Sequence, residues 1–243
     1  MKPIYEPKAR AKEYGDLAIN IYTGCPHRCY YCFAPAVLHK SRETFCTDIQ
    51  PRKGIVEAVK RQLEAEHITG KLIEMCFVCD PYPLGYDSSA TREIIKTIKA
   101  AGNHVQILTK NGTDAIRDFD LLDGDDWFGV TYAGYPNLAY GISPAEPVAG
   151  TPFWRLQALK GAHAAKIKTW VSCEPVLDAQ DVLLLVEKGD YIDKFKIGKM
   201  NYHPSEINWK AFGKAAEAAC KRYGRNYYIK EDLRKEMQDG TEK

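Results

Sequence analysis

Three cysteines fall within one short stretch, Cys25-Pro26-His27-Arg28-Cys29-Tyr30-Tyr31-Cys32, with Cys-x3-Cys-x2-Cys spacing. Thiolates this close on one loop can wrap a soft metal centre, and zinc sites and iron-sulfur clusters normally recruit four protein ligands. A loop that supplies three leaves one coordination position open, as a reactive centre requires. The same residues also allow a closed zinc site completed by His27, His39 or Cys46. The remaining cysteines are Cys76, Cys79, Cys173 and Cys220. The segment Met1-Lys2-Pro3-Ile4-Tyr5 lacks the apolar core of a secretory leader, so the expected compartment is cytoplasmic. Thiols stay reduced there, and a disulfide framework is not expected.

The elements that position this loop follow from the hydrophobic period. Residues 17–22 (LAINIY) read as a strand that ends just before the first cysteine. Further strands are expected at 72–78, 104–109, 127–132, 168–173 and 191–197. Helices are expected between them, at 52–66, from Ser88 or Ser89 to Gly102, and at 114–122, 153–165, 179–187 and 205–222. Residues 226–229 read as a strand or an edge, and the chain after Glu236 as a frayed tail. The stretch 133–151, rich in Gly, Pro, Tyr and Ser, reads as a long functional loop. Strands alternating with helices give an α/β fold with parallel strands and right-handed crossovers, a barrel or partial barrel. One domain over 1–243 is expected, with its core at about 17–200 and a C-terminal helix and tail in 201–243.

Sites in such folds lie at the C-terminal ends of the strands. The sequence places there the cysteine loop, then Cys79, Asp80 and Tyr82, then Lys110, Thr131 and Tyr132. Cys173, Glu174, Lys196, Lys199, Asn201 and His203 follow. Cys79 and Cys173 would point into the mouth, as hydrogen donors, as ligands of a further metal centre with Cys46 and Cys76, or as small buried hydrophobes. Asp80 could bind a ribose or adenine, or cap a turn. Glu174 could hold an amine or form a rim salt bridge. Lys196 and Lys199 could neutralise a phosphate or carboxylate, with Tyr82 and Asn201 beside them on the substrate side, or be ordinary surface charges. Tyr132, Tyr135 and Tyr140 could stack on a base or sugar, or simply cover the mouth.

With 34 Lys+Arg against 32 Asp+Glu, the net charge of +2 neither demands nor excludes a nucleic-acid partner. No apolar run approaches the roughly 18 residues of a membrane span, so no membrane partner is expected. A hydrophobic fraction of 45% excludes a disordered chain.

Cys25-x3-Cys29-x2-Cys32, with an aromatic Tyr31 before the third cysteine and a β-strand ahead of the loop, resembles the cluster loop of radical S-adenosylmethionine (SAM) enzymes. The resemblance implies a 4Fe-4S cluster on these three cysteines. Its fourth iron would hold S-adenosylmethionine, and reductive cleavage would give a 5′-deoxyadenosyl radical that abstracts hydrogen from a substrate. A partial (β/α)6 TIM-like barrel and an external one-electron reductant of flavodoxin or ferredoxin type are implied as well. Val78-Cys79-Asp80-Pro81-Tyr82, Thr91-Arg92, Val105-Gln106-Ile107-Leu108-Thr109-Lys110 with its Thr-Lys at the end of the third expected strand, and Phe119-Asp120-Leu121-Leu122 are similar to the spore photoproduct lyase-like, or DNA repair photolyase-like, branch. By that likeness Lys110 contacts the cofactor's carboxylate or ribose, Cys79, Asp80, Thr131 and Glu174 add contacts, and Tyr31 and Phe33 shield the cluster.

Two departures bear on the reaction. The lyase carries a hydrogen-relaying tyrosine directly after its third cluster cysteine, where this chain has Phe33. Its hydrogen-donor cysteine aligns with Phe77. The resemblance therefore carries the branch and not the lyase reaction. Three functions remain open: a radical enzyme on a nucleic acid or nucleotide, a radical enzyme on a small metabolite or peptide, and a non-enzymatic zinc-binding module.

Overall fold

The computed structural model describes residues 2–135 and 141–238. Eight strands form one sheet in chain order: β1 (Ile4–Tyr5), β2 (Leu17–Ile19), β3 (Leu72–Met75), β4 (His104–Thr109), β5 (Trp127–Thr131), β6 (Lys168–Cys173), β7 (Lys194–Ile197) and β8 (Tyr227–Ile229). Only β1 runs antiparallel to its neighbour, and every later pairing is parallel. The helices are α1 (Ala34–Val37), α2 (Arg42–Thr47), α3 (Ile55–Ala65), α4 (Ser89–Ala100), α5 (Gly112–Ala115), α6 (Pro152–Ala164), α7 (Ala179–Lys188), α8 (Trp209–Arg222) and α9 (Glu231–Gln238). All six expected strands are present, those at 104–109 and 168–173 with the expected limits and the other four shorter. β3 stops at Met75 because Cys76 takes a left-handed backbone (φ +74°) and leaves the ladder. The 226–229 run is a full parallel strand on β7. The helix expected at 114–122 is instead the single turn α5 followed by a 3-10 turn over Ile116–Leu121. β1, α1, α2 and α9 were not anticipated, and no helix among the described residues is long and apolar enough to cross a membrane.

The parallel register sorts the side chains onto two faces. Ile19, Ile73, Met75, Val105, Ile107, Phe128, Val130, Val171, Phe195, Ile197 and Ile229 point outward into one apolar core. Helices cover that face with stripes at three- and four-residue spacing, such as Ala90, Ile94, Ile95 and Ile98 of α4. The opposite face carries Glu74, Gln106, Gly129, Trp170, Ser172, Lys196 and Tyr228. Gly129 is the one residue that fits beneath Trp170, because a Cβ there would overlap the indole, whose Nε1–H donates to the Ile107 carbonyl at 2.9 Å.

That inner face is curled around one residue. Tyr14 follows a 3-10 turn (Ala9–Glu13), and its carbonyl accepts hydrogen bonds from Gln106 of β4 (2.8 Å) and Lys196 of β7 (3.2 Å). Its ring lies edge-on to Trp170 of β6, and its hydroxyl accepts from Lys230, just past β8, at 2.6 Å. Neighbouring strands lie about 4.8 Å apart, so a flat sheet would spread β4 to β8 over roughly 19 Å, beyond the reach of one side chain. The sheet is therefore a partial barrel, and the N-terminal segment fills its interior.

Lys196 anchors this filling. It is 3% exposed, and its ammonium donates to the Glu13 and Tyr14 carbonyls at 3.1 and 3.2 Å. The faces of Tyr14 and Trp170 flank it. Burial pulls its pKa down to about 8, against the attraction of Glu74, whose own carboxyl is pushed up to about 8 by burial. Replacing Lys196 with Met leaves the Glu13 carbonyl without its donor and the Tyr14 carbonyl with that of Gln106 alone. The expected loss is ~1–3 kcal/mol, read as a lower urea midpoint, with faster hydrogen exchange over residues 9–16. Lys199→Met, at a partly exposed ion pair, is expected to shift the midpoint by less than ~1 kcal/mol. Equal effects of the two variants would remove Lys196 from this role.

Candidate active site

The cysteine loop has no regular structure and is held from outside. The Cys25 N–H donates to the Phe45 carbonyl at 3.0 Å, so the C-terminal end of α2 sits directly on the loop. Gly24 permits that approach, since a Cβ there would overlap Phe45 O. Arg42, at the start of α2, donates to the Cys29 carbonyl at 2.8 Å and to the Tyr30 carbonyl. Ser41 caps α2 by accepting from the Thr44 N–H. Burial pushes the Cys25 thiol up and the Cys29 thiol to about 12, so these sulfurs ionise only against a strong cation. Three soft donors in such a setting fit a bound iron-sulfur cluster or zinc.

His27 is not a fourth ligand in this arrangement. Its Nε2 accepts from the Leu84 N–H at 3.3 Å, and its Nδ1 faces Asp80 at 3.5 Å. Burial outweighs Asp80 and lowers its pKa to about 4, which keeps the ring neutral. Cys46 packs in the same small apolar cluster as Cys25 and Cys32.

Asp80 ties the end of β3 to the end of β4. Its carboxylate accepts from Thr109 Oγ1 (2.6 Å), the Lys110 N–H (2.8 Å) and the Tyr82 N–H (2.8 Å). Those bonds set the direction of Lys110, whose ammonium lies 3.4 Å from Thr131 Oγ1 and over the Tyr31 ring. Burial alone would lower the Lys110 pKa, but Cys29 and Glu146 outweigh it and keep the group cationic.

A strap from the β5–α6 connection closes over the loop. Glu146, 1% exposed, accepts hydrogen bonds from the Tyr31 and Tyr135 hydroxyls and pairs with Arg155 of α6 at 2.6 Å. Arg155 also donates to Tyr135 Oη (2.9 Å) and to the Thr131 and Gly150 carbonyls (3.1 and 2.8 Å). Backbone bonds from Tyr30 N to Ala145 O and from Val148 N to His27 O complete the strap. Burial would raise the Glu146 pKa, yet Arg155 and Lys110 hold it at about 2.

Across the mouth, Glu174 pairs with Lys230 and accepts from Tyr14 Oη (3.2 Å) and Asn201 Nδ2 (3.2 Å). The structure thus brings Tyr31, Asp80, Lys110 and Thr131 together beside the cysteines, and Glu174 with Asn201 on the opposite side. Other positions read from the sequence lie elsewhere. Cys173, expected at the mouth, is fully buried beside Cys220 on the helix-packed face, and Ser172 takes the inner position. Tyr82 is fully buried with its hydroxyl on Asp118, and Tyr132 is 7% exposed with its hydroxyl on Asp181. Lys196 is inside the barrel, and Lys199 pairs with Glu236 of α9. Phe33 is 46% exposed at the N-cap of α1. Cys79 is half-buried with its sulfur near Tyr22 N, and Tyr140 falls outside the described residues. Sequence reasoning missed Tyr14, Glu146, Arg155 and Lys230. Arg155 had a local signal, a charge on the apolar stripe of Pro152, Ala158, Leu159 and Ala162.

Residues 19–177 match the model of the Radical SAM superfamily. The chain belongs to that superfamily. An uncharacterized protein of Methanocaldococcus jannaschii is 27% identical over 234 residues, covering 94% of this chain and 83% of the relative. An uncharacterized protein of Mycobacterium tuberculosis is 27% identical over 188 residues, which is 72% of this chain and 52% of the relative. Among solved structures, spore photoproduct lyase with bound AdoMet and dinucleoside spore photoproduct aligns with a TM-score of 0.62 at 15% identity, over 90% of this chain and 64% of that one. SuiB of Streptococcus suis bound to S-adenosylmethionine aligns at 0.62 and 11% identity, over 87% and 49%. These likenesses share the fold, and the radical SAM chain described here spans less than two thirds of both solved chains.

Glu146→Gln leaves the Arg155 guanidinium buried without its carboxylate, and ~3–5 kcal/mol of stability is expected to be lost. The depressed Glu146 pKa contributes stability that is complete above about 4.5 and disappears as pH falls towards about 2. Urea midpoints between pH 7 and pH 2.5 test this. A variant whose acid limb matches that of the wild type would sink the assignment.

Proposed function

We propose that this radical SAM chain is an enzyme whose Cys25, Cys29 and Cys32 hold a 4Fe-4S cluster with one iron open to S-adenosylmethionine. When bound, the two cofactors supply reductive cleavage to a 5′-deoxyadenosyl radical that takes hydrogen from the substrate. The observation that carries the reading is the three-thiol loop pinned at the C-terminal strand ends with the Lys110 ammonium directed across it. Lys110, aimed by Asp80 and Thr131, is the group to bind the cofactor's carboxylate or ribose. Tyr31, locked on Glu146, walls the loop and excludes water. Glu174 and Asn201 face the opposite side, where a substrate would enter. Tyr30 and Phe33, both more than two-fifths exposed on the loop, offer an apolar approach to an external flavodoxin- or ferredoxin-type reductant.

Of the two substrate classes, the geometry favours a compact metabolite or peptide over a nucleic acid. The lysines that the sequence offered to a phosphate are engaged by the protein itself, Lys196 inside the barrel beneath Tyr14 and Lys199 in a partly exposed pair with Glu236. A second reading, a closed metal site with a fourth thiolate, draws on Cys46 beside Cys25 and Cys32.

Anaerobic reconstitution with iron and sulfide, followed by reduction and an assay for 5′-deoxyadenosine, separates the readings. The expected result is a brown protein that cleaves S-adenosylmethionine, with both properties lost in Cys29→Ala and kept in Cys46→Ala. A colourless zinc protein that needs Cys46 would establish the closed site. DNA or RNA affinity falling steeply with salt would restore the nucleic-acid substrate.

A further inference from the structure

Cys76 and Cys79 form a Cys-x-x-Cys pair immediately after β3, and the proposed function gives Cys76 no role. The left-handed backbone at Cys76 turns the chain out of β3, and residues 77–79 bend, so the pair sits on one tight turn. Asn20 fixes the two intervening residues, since its Oδ1 accepts from the Phe77 and Val78 N–H groups at 2.8 and 3.0 Å. Within this turn the Cys79 sulfur accepts from the Tyr22 N–H at 3.4 Å. The two residues differ in access: Cys76 is 6% exposed, whereas Cys79 is only partly buried.

We propose that Cys76 and Cys79 form a reversible redox site, with Cys79 the attacking thiolate and Cys76 the resolving thiol, which closes to a disulfide on exchange with a small-molecule disulfide. The asymmetry of the pair supports those roles. Burial would raise the Cys79 thiol, but the Cys76 side chain and backbone N–H groups hold it below its usual range. Burial pushes the Cys76 thiol up. Low thiolate pKa and access are what select an attacking cysteine.

The exchange balances with oxidised glutathione as the two-electron oxidant. The Cys79 thiolate attacks one glutathione sulfur, the glutathione S–S bond breaks, and one glutathione thiolate leaves. Cys76 then gives up its proton to water and attacks the Cys79 sulfur. That breaks the mixed disulfide and expels the second glutathione thiolate. Two protein thiols are oxidised and one disulfide is reduced.

The test uses the anaerobically purified protein with its metal centre in place, exposed to oxidised glutathione, quenched with an alkylating agent and mapped by peptide mass spectrometry. The expected wild-type product is an internal Cys76–Cys79 disulfide, reversed by dithiothreitol, with Cys173 and Cys220 unmodified. Cys76→Ser is expected to stop at glutathione on Cys79. Cys79→Ser is expected to slow modification of Cys76 by roughly tenfold or more. The wild-type result does not depend on either variant folding. Two free, alkylated thiols in the wild type would overturn the proposal. So would a mixed disulfide that persists there, or undiminished modification of Cys76 in Cys79→Ser.

Discussion

A carboxylate shut away from water, Glu146, is the point on which the site's geometry turns. Its charge is tolerable there because Arg155 meets it from α6 and two phenolic hydroxyls complete its shell. Through Tyr31 that carboxylate reaches the cysteine loop, through Arg155 the end of β5, and through its field the Lys110 ammonium. A loop without helix or strand of its own acquires fixed coordinates by being bonded to elements that have them. Arg42 and the Phe45 carbonyl do the same from the opposite flank. Because buried charged bonds weaken little with small displacements of solvent, such a scaffold suits a centre whose reactive species must be kept from water.

The interior of the barrel follows a different logic from its exterior. Outside, aliphatic side chains meet aliphatic helices and the packing is ordinary. Inside, Glu74, Gln106, Lys196, Lys230, Ser172 and Glu174 surround Tyr14 and Trp170. The strands' inner face is polar because it must receive backbone: the carbonyls of Glu13 and Tyr14 arrive without a sheet of their own and take their donors from Gln106 and Lys196. The N-terminal segment thereby acts as internal lining, and Glu13 extends it to β8 by accepting from Tyr228 Oη at 2.9 Å.

The sheet was legible in the sequence because parallel strands buried on their outer face announce themselves as apolar runs between helices with a regular stripe. The cysteine loop was legible because its spacing is local. Asp80 was visible as a residue, but its task of tying two strand ends was not, since both partners lie thirty residues on. Glu146 sits in a Gly- and Pro-rich stretch with no period to expose its burial. Lys196 read as a rim or surface charge and Lys230 drew no reading, because the lysine stem carries no mark of direction; only the register shows that Lys196 shares its face with Ser172 and Tyr228. Cys173 failed for the converse reason. A shift of one residue along a strand exchanges inside for outside, and the inner position at the end of β6 belongs to its neighbour.

Tyr14 and Lys230 are 216 positions apart along the chain, yet they share a hydrogen bond inside the barrel. During synthesis the 9–14 segment emerges before its receptors: Gln106 of β4 can take the Tyr14 carbonyl, but the Glu13 carbonyl has no donor until Lys196 of β7 has left the ribosome. The early strands must wait, half-paired, with their polar inner faces wet. Contacts of such long sequence separation are costly to close and form late. The mouth of the barrel is therefore completed by strands that appear after all the others in the sheet, and a nascent protein stalled before β8 would hold its three cysteines on an unfinished floor.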